Sequence, residues 1–225
     1  NATTATNTVA IGTNAIGLGV ATGDGNVGIG VSAGIDLTSG AYNFFGGYAT
    51  GANVTTADYT IAIGSQVIGL GVTTGDYNIA LGRQAGYDLT SGTHNNFMGF
   101  QAGYNVTTGT GNVFSGYQTG ENATTANFGI SIGYSTIGVG VMTGTDNTAI
   151  GRQAGNDLTS GTYNNFMGYQ AGYNATTATN TVAIGKSAIG LGILTGANNT
   201  AIGYAAGYDL TSGATNVFVG YSAGA

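Results

Sequence analysis

The amino-acid sequence predicts an all-β fold, a parallel β-solenoid wound in coils of 17 or 18 residues, and three observations carry that expectation. The chain repeats at this period almost from end to end, one place in every repeat is always glycine, and the composition suits a backbone that turns often. Of 225 residues 44 are Gly, none is Pro or Cys, 42% are hydrophobic and 5% are charged. An ordinary globular domain carries about 25% charged residues and about 7% Gly. Disorder is excluded from the other side, because so apolar and weakly charged a chain does not stay expanded.

After a five-residue lead-in, repeats begin at Thr6, Asp24, Ala41, Asp58, Asp76, Thr93, Thr110, Asn127, Thr145, Thr162, Thr179, Ala197 and Ala214. Counted within a repeat, position 7 is Gly in all thirteen, from Gly12 to Gly220, and position 3 is Asn in nine, including Asn26, Asn78, Asn147 and Asn216. Three types alternate. The first reads TNTVAIGKSAIGLGILTG (179–196) and always has 18 residues; the second ends in LTSG, as at 37–40 and 158–161; the third ends in N-x-T-T, as at Asn53–Thr56 and Asn174–Thr177. Together they form a 52-residue super-repeat, with one extra third-type repeat at 110–126. Residues 1–225 therefore read as one continuous solenoid array, a segment of a longer fibre.

Such a period is too short for a helix pair, which takes about 30 residues or more. One coil holds a short strand, such as Thr148-Ala149-Ile150 or Thr200-Ala201-Ile202, between glycine corners. Coils spaced about 4.8 Å apart would make thirteen of them a rod roughly 60 Å long. The Asn column then has a reason, since stacked amides hydrogen-bond along the axis. Position 5 is Ala, Gly or Ser in the first two types and Phe in the third (Phe45, Phe97, Phe114, Phe166, Phe218). Position 14 is Leu in the second type (Leu37, Leu89, Leu158, Leu210) and only Val or Ala in the complete third-type repeats. This reads as volume compensation with position 5 inward; the rival places the Phe rings outward, against a partner chain. So slender a coil has few core side chains, and association into a trimer would bury more surface and cover strand edges.

The stretches NTAIGYAAGYDLTSG (199–213), NTVAIGKSAIGLG (180–192) and NNFMGYQAGYN (164–174) resemble the head repeats of YadA-type trimeric autotransporter adhesins, and similar repeats occur in phage and viral tail fibres. The resemblance covers the whole chain, although the coils here are longer than in that family. It implies a left-handed parallel β-roll, a homotrimer displayed at the cell surface or on a virion fibre, and adhesion to surface glycans or matrix proteins.

With a net charge of −6 and three basic residues, the chain has no electrostatic footprint for nucleic acid. No apolar run reaches the roughly 18 residues of a membrane-spanning helix. No catalytic, cofactor or metal site is read from the sequence. The single His94 supports no triad. Asp58 and Asp76 begin adjacent coils at a spacing that a retaining glycosidase uses, but Asp at such corners is ordinary turn chemistry. Gly23–Gly28 satisfies G-x-G-x-x-G with no helix after it, which rejects a dinucleotide site.

The candidate ligand surface is position 8, where Tyr48, Arg83, Phe100, Tyr117, Tyr134, Arg152, Tyr169, Lys186, Tyr204 and Tyr221 gather all three basic residues among aromatic rings. Other tyrosines fall at position 12 (Tyr87, Tyr104, Tyr173, Tyr208) and position 2 (Tyr42, Tyr59, Tyr77, Tyr163). Such columns either stack structurally between coils or stack sugars. Candidate N-glycosylation sequons lie at Asn1, Asn53, Asn105, Asn122, Asn174 and Asn198, where Asn also suits a corner conformation. An ice-binding solenoid is a minor alternative. Positions 15 and 16 are rich in Thr and Ser, yet adjacent strand residues face opposite ways and the first-type repeats are expected to interrupt the ranks.

Overall fold

The computed structural model describes residues 4–17, 20–69 and 71–225. Among these residues there are thirteen strands, and no helix is long and apolar enough to cross a membrane. The chain divides into two compact units, Asn1–Gly111 and Asn112–Ala225. The division falls inside the extra third-type repeat. In the first unit β1 (Val9–Ile11), β2 (Val27–Ile29), β3 (Phe44–Gly46), β4 (Ile61–Ile63), β5 (Ile79–Leu81) and β6 (Asn96–Met98) each pair in parallel with the next. In the second unit β7 (Val113–Tyr117), β8 (Ile130–Tyr134), β9 (Thr148–Ile150), β10 (Asn165–Met167), β11 (Val182–Ile184), β12 (Thr200–Ile202) and β13 (Val217–Val219) do the same. Each unit is thus a parallel β-solenoid with one strand per coil, as the repeat predicts. Register is strict: position 4 lies opposite position 4, as in Val9↔Val27 and Thr148↔Asn165.

Each strand forms where positions 4 and 6 carry mainly Val, Ile, Leu or Met around a small or aromatic residue at position 5. Backbone hydrogen bonds leave alternately toward the two neighbouring coils, so the Val27 amide donates to Asn43 at 2.8 Å and the Gly47 amide to Ile29 at 2.7 Å. The invariant glycine ends the strand with φ between 124 and 141°, a region closed to side chains. It also lies against the next coil: a Cβ on Gly151 would meet the Gly168 carbonyl oxygen at 2.6 Å.

Other corners are less permissive than the sequence suggests. Positions 2 and 9 adopt left-handed values in every coil although most are not glycine, for example Tyr59 at φ 54° and Gln84 at φ 58°. Each such residue is strained by roughly 1–2 kcal/mol. Position 11 is left-handed too, and in the first-type repeats it is Ile16, Ile68, Ile137 or Ile189, at φ 44 to 48°. A β-branched residue there is a true outlier.

Packing explains it. Phe45, Phe97, Phe114 and Phe166 are fully buried, so position 5 points inward and the outward reading is corrected for these rings; Phe218, in the last coil, is half-buried. The four Ile side chains are buried as well and fill the hollow that a small position 5 leaves. A Cβ on Gly28 would meet Ile16 Cγ1 at 2.8 Å, and one on Gly34 would meet Phe45 Cδ2 at 2.6 Å. Core volume thus passes from Ile to Leu to Phe along the three repeat types, extending the expected Leu–Phe exchange.

The Asn column is buried and paired. Asn43 Nδ2 donates to Asn26 Oδ1 at 3.1 Å and to the Ala57 carbonyl at 2.7 Å, and Asn43 Oδ1 accepts the Thr60 amide at 2.8 Å. Asn78–Asn95, Asn147–Asn164 and Asn199–Asn216 pair likewise.

Two variants test this core. Phe166→Ala should lower unfolding stability by about 3–5 kcal/mol in chemical denaturation. Asn164→Asp would bury a carboxylate against the Ala178 carbonyl and Asn147 Oδ1, where only a protonated acid can donate. Its folded pKa is then raised above the unfolded one, so stability is retained below about pH 4 and lost as pH rises through the folded value. Thermal melts across pH, with the parent chain alongside, would show this slope; a pH-independent difference between the two would refute it.

Candidate binding surfaces

The glycine corner at position 7 turns the position 8 side chain outward, and strict register stacks these side chains coil upon coil. In the second unit the Tyr117 and Tyr134 rings lie 5.0 Å apart and 4° from parallel. Arg152 follows, its guanidinium carbon 5.7 Å from the Tyr134 ring centre and 5.6 Å from that of Tyr169. Lys186 Nζ sits 5.8 Å from Tyr169 and 5.5 Å from Tyr204, which stacks on Tyr221 at 5.0 Å. In the first unit Arg83 lies 5.8 Å from the Phe100 ring, while Tyr48 is separated from Arg83 by a coil with Ser65 at this place. The column therefore assembles as a cation–π and aromatic stack. Ring faces are turned toward each other, so edges, hydroxyls and clamped cations are what solvent meets. Where two rings stack, as Tyr117 on Tyr134 and Tyr204 on Tyr221, the faces turned toward each other are not open to a sugar, whereas Tyr48 has Val31 and Ser65 at this place in its neighbouring coils.

Position 2 builds a second border of the same kind. Tyr42, Tyr59, Tyr77 and His94 stack at 4.9–5.1 Å, and all four are exposed. Between the two borders lies the outer face of the strands, made of positions 4 and 6. Ile61 and Ile63 are 40% and 44% exposed, and Ile130, Ile132, Met167, Ile184 and Ile202 are similarly open. This apolar face, two residues wide where both positions are aliphatic and one where position 4 is Asn or Thr or position 6 is Gly or Ser, was not foreseen from the sequence. The signal was present in the V/I-x-I strands, which are apolar on both sides.

Three carboxylates at position 1 serve the backbone. Asp58 Oδ1 accepts the Ala41 amide at 2.7 Å and Asp76 Oδ1 the Asp58 amide at 2.8 Å, so each holds the start of the preceding coil. Asp24 does the same for Thr6, which holds its carboxyl below the usual range. Burial pushes Asp88 and Asp157 up, and Glu121 up against a counteracting hydrogen bond from Gln118. Among the described residues no three His, Asp or Glu side chains converge as a metal site would require.

The sequon asparagines have a structural task of their own. Asn53 Nδ2 donates to the Gly69 carbonyl at 2.5 Å, Asn122 to Gly138 at 2.6 Å and Asn174 to Leu191 at 2.8 Å. Asn53, Asn105, Asn122 and Asn174 are half-buried, and none has a positive φ, which corrects the expected corner role. Asn198 differs, being exposed at φ 61° and accepting only from Asn180 at 3.2 Å. Asn1 lies outside the described residues.

Exposed Thr or Ser residues recur in each complete coil: Thr22, Ser39, Thr56, Thr74, Ser91 and Thr108 in the first unit and Thr125, Thr143, Ser160, Thr177, Thr195 and Ser212 in the second. In first-type repeats the exposed residue is position 17, and its amide makes the bond that position 15 makes in the second type: the Thr143 amide donates to the Thr159 carbonyl at 2.8 Å, as the Thr159 amide does to Thr176 at 2.9 Å. Their position 16 turns inward as Ala21, Thr73, Met142 or Leu194.

Expressed in a host with N-glycosylation machinery, Asn198 should be the sequon most fully modified, since its amide makes no competing donation to a neighbouring coil. Intact mass before and after glycosidase, with Asn198→Gln as control, reads this directly; full occupancy at Asn174 with none at Asn198 would contradict it. Compared with known proteins, the chain matches no family model, no curated protein and no solved structure.

Proposed function

We propose that the chain is a structural and adhesive segment of an extracellular fibre, assembled from parallel copies of itself as a homotrimer and displayed at a cell surface or on a virion. The observation that carries this reading is the apolar outer face of positions 4 and 6. Contiguous apolar surface bordered by aromatic and charged residues marks interaction sites. Every coil contributes to it, so the contact grows with the number of repeats, as a fibre requires. The exposed edges of the position 8 and position 2 stacks remain to contact surface glycans or matrix proteins. A tail-fibre shaft or an end-to-end filament uses the same surfaces and differs in what lies at its ends. The homotrimer, the left-handed coil and the extracellular setting come from the resemblance to adhesin head repeats.

A second reading follows from the exposed hydroxyls. Thr or Ser exposed in each complete coil of either unit is a surface that an ordered water lattice or ice could match.

Sedimentation of the 225-residue chain should give three times its 22.1 kDa mass, and Ile132→Asp with Ile184→Asp should release monomers that keep their β signature. A 22.1 kDa species at micromolar concentration would sink the assembly reading. Thermal hysteresis tests the second: activity abolished by Thr143→Tyr with Thr177→Tyr would support it, and none in the parent chain would end it.

A further inference from the structure

The position 8 column of the second unit alternates cations with aromatic rings. Tyr134, Arg152, Tyr169, Lys186 and Tyr204 occupy successive coils, so the two cations stand two coils apart, about 10 Å. Each is held between tyrosine rings rather than by a carboxylate. Arg152 lies 5.7 and 5.6 Å from the Tyr134 and Tyr169 ring centres, and Lys186 lies 5.8 and 5.5 Å from those of Tyr169 and Tyr204. Both cations are exposed. All nine carboxylates of the chain fall at positions 12, 13, 1 or 2, so positions 3 to 11 carry none and no acid on the strand or its glycine corner competes for these charges. The clamp also leaves little side-chain freedom to lose on pairing. Beside the column, at position 9, Gln170 donates to Gln153 at 3.2 Å, a half-buried amide pair next to the cations.

We propose that this strip binds a linear acidic polysaccharide laid along the coil axis, its carboxylates on alternate sugars meeting Arg152 and Lys186. This rests on the reading of position 8 as a surface for glycans and names the class of glycan. Geometry selects that class. Tyr169 has a cation over each face, so a neutral sugar finds no open ring there and only the hydroxyl edge is left to hydrogen-bond. Charge then carries the recognition. Arg152 presents a planar fork that takes a carboxylate through two parallel bonds, and Lys186 a compact point charge. A polymer on a straight column keeps register only where its own repeat matches, and an acid on every second sugar recurs at an interval comparable to two coils.

Exposed ion pairs are individually weak. A polymer that engages both levels at once gains by effective concentration, and gains again where copies are displayed together. The first unit supplies an internal contrast: Arg83 has Ser65 and Phe100 beside it in the column and no second cation.

Native electrophoresis of the full chain through gels containing dissolved hyaluronate, whose carboxylates sit on alternate sugars, reads weak binding as retardation relative to a polymer-free gel. Hyaluronate should retard the chain and neutral dextran should not, and added salt should remove the effect. Arg152→Gln with Lys186→Gln should weaken the interaction about tenfold while keeping the β signature, and Arg83→Gln should bind as the parent does. Lys186→Tyr with Tyr204→Lys keeps the charge but sets the cations three coils apart, and should bind as weakly as the double Gln variant. Binding unchanged by that exchange would overturn the spacing, and an equal loss in Arg83→Gln would overturn the strip. Dextran retarding the chain as strongly as hyaluronate would sink the acidic class and leave a glycan surface standing; retardation by neither polymer would sink both.

Discussion

Backbone hydrogen bonding between successive coils constrains everything else in this protein. Because each coil donates alternately to the coil before and the coil after, a residue from the start of the coil through the strand has the same position of its neighbour about 4.8 Å away. Side chains are thereby sorted into columns, and only residues that tolerate their own kind at that distance can occupy one. Buried Asn does, because an amide both donates and accepts, and the Asn26–Asn43 pair uses both capacities. Tyrosine does so through ring stacking. Carboxylates do not, unless each is given a donor, as Asp58 and Asp76 are by the amides of the preceding coils. A charged content of 5% is the compositional result.

The same spacing limits the interior, since a 17-residue coil has no room for a large side chain in every layer. Volume is shared among three layers instead. Phe166 crosses the core of a third-type coil, and the glycines at position 11 of its own and the preceding coil, Gly172 and Gly155, leave the space its ring occupies. First-type coils lack that ring and put Ile137 or Ile189 in its stead, accepting a left-handed β-branched residue in order to avoid a void. An empty layer destabilises by several kcal/mol, against roughly 1–2 for the strained backbone. Strain is the smaller of the two.

Much of this was legible in the sequence, and what was not has physical causes. The period, the invariant glycine, the inward Phe and the Asn column follow from repetition alone, because register converts a sequence column into a spatial one. Ile16 and its equivalents were missed because propensity argues against a β-branched residue where the backbone is left-handed, and packing overrode propensity. The Thr and Ser residues needed the structure for a different reason. Counting from the start of a repeat cannot say where an 18-residue coil takes up its extra residue, and bonds such as Thr143 to Thr159 show position 17 in the role that position 15 has elsewhere. Sequons misled about the corner: Asn53, Asn122 and Asn174 have no positive φ, and each holds the next coil through its amide.

The apolar strand face and the aromatic borders bear on each other. A platform for sugar stacking needs open ring faces, and the stacked pairs, such as Tyr117 with Tyr134, turn theirs toward each other within the chain. What remains outward is a narrow hydrophobic strip edged by ring edges, hydroxyls and immobilised cations, a composition typical of protein interfaces, where Tyr, Phe, Met and Arg are enriched and acids are scarce. The side of the coil that carries the carboxylates is the one the strip excludes, apart from the border at positions 1 and 2. The bonds along the axis that stabilise a coil stack do not call for that asymmetry. In the proposed self-assembly it would count, because it matters which border faces which only when a second strip is laid against the first.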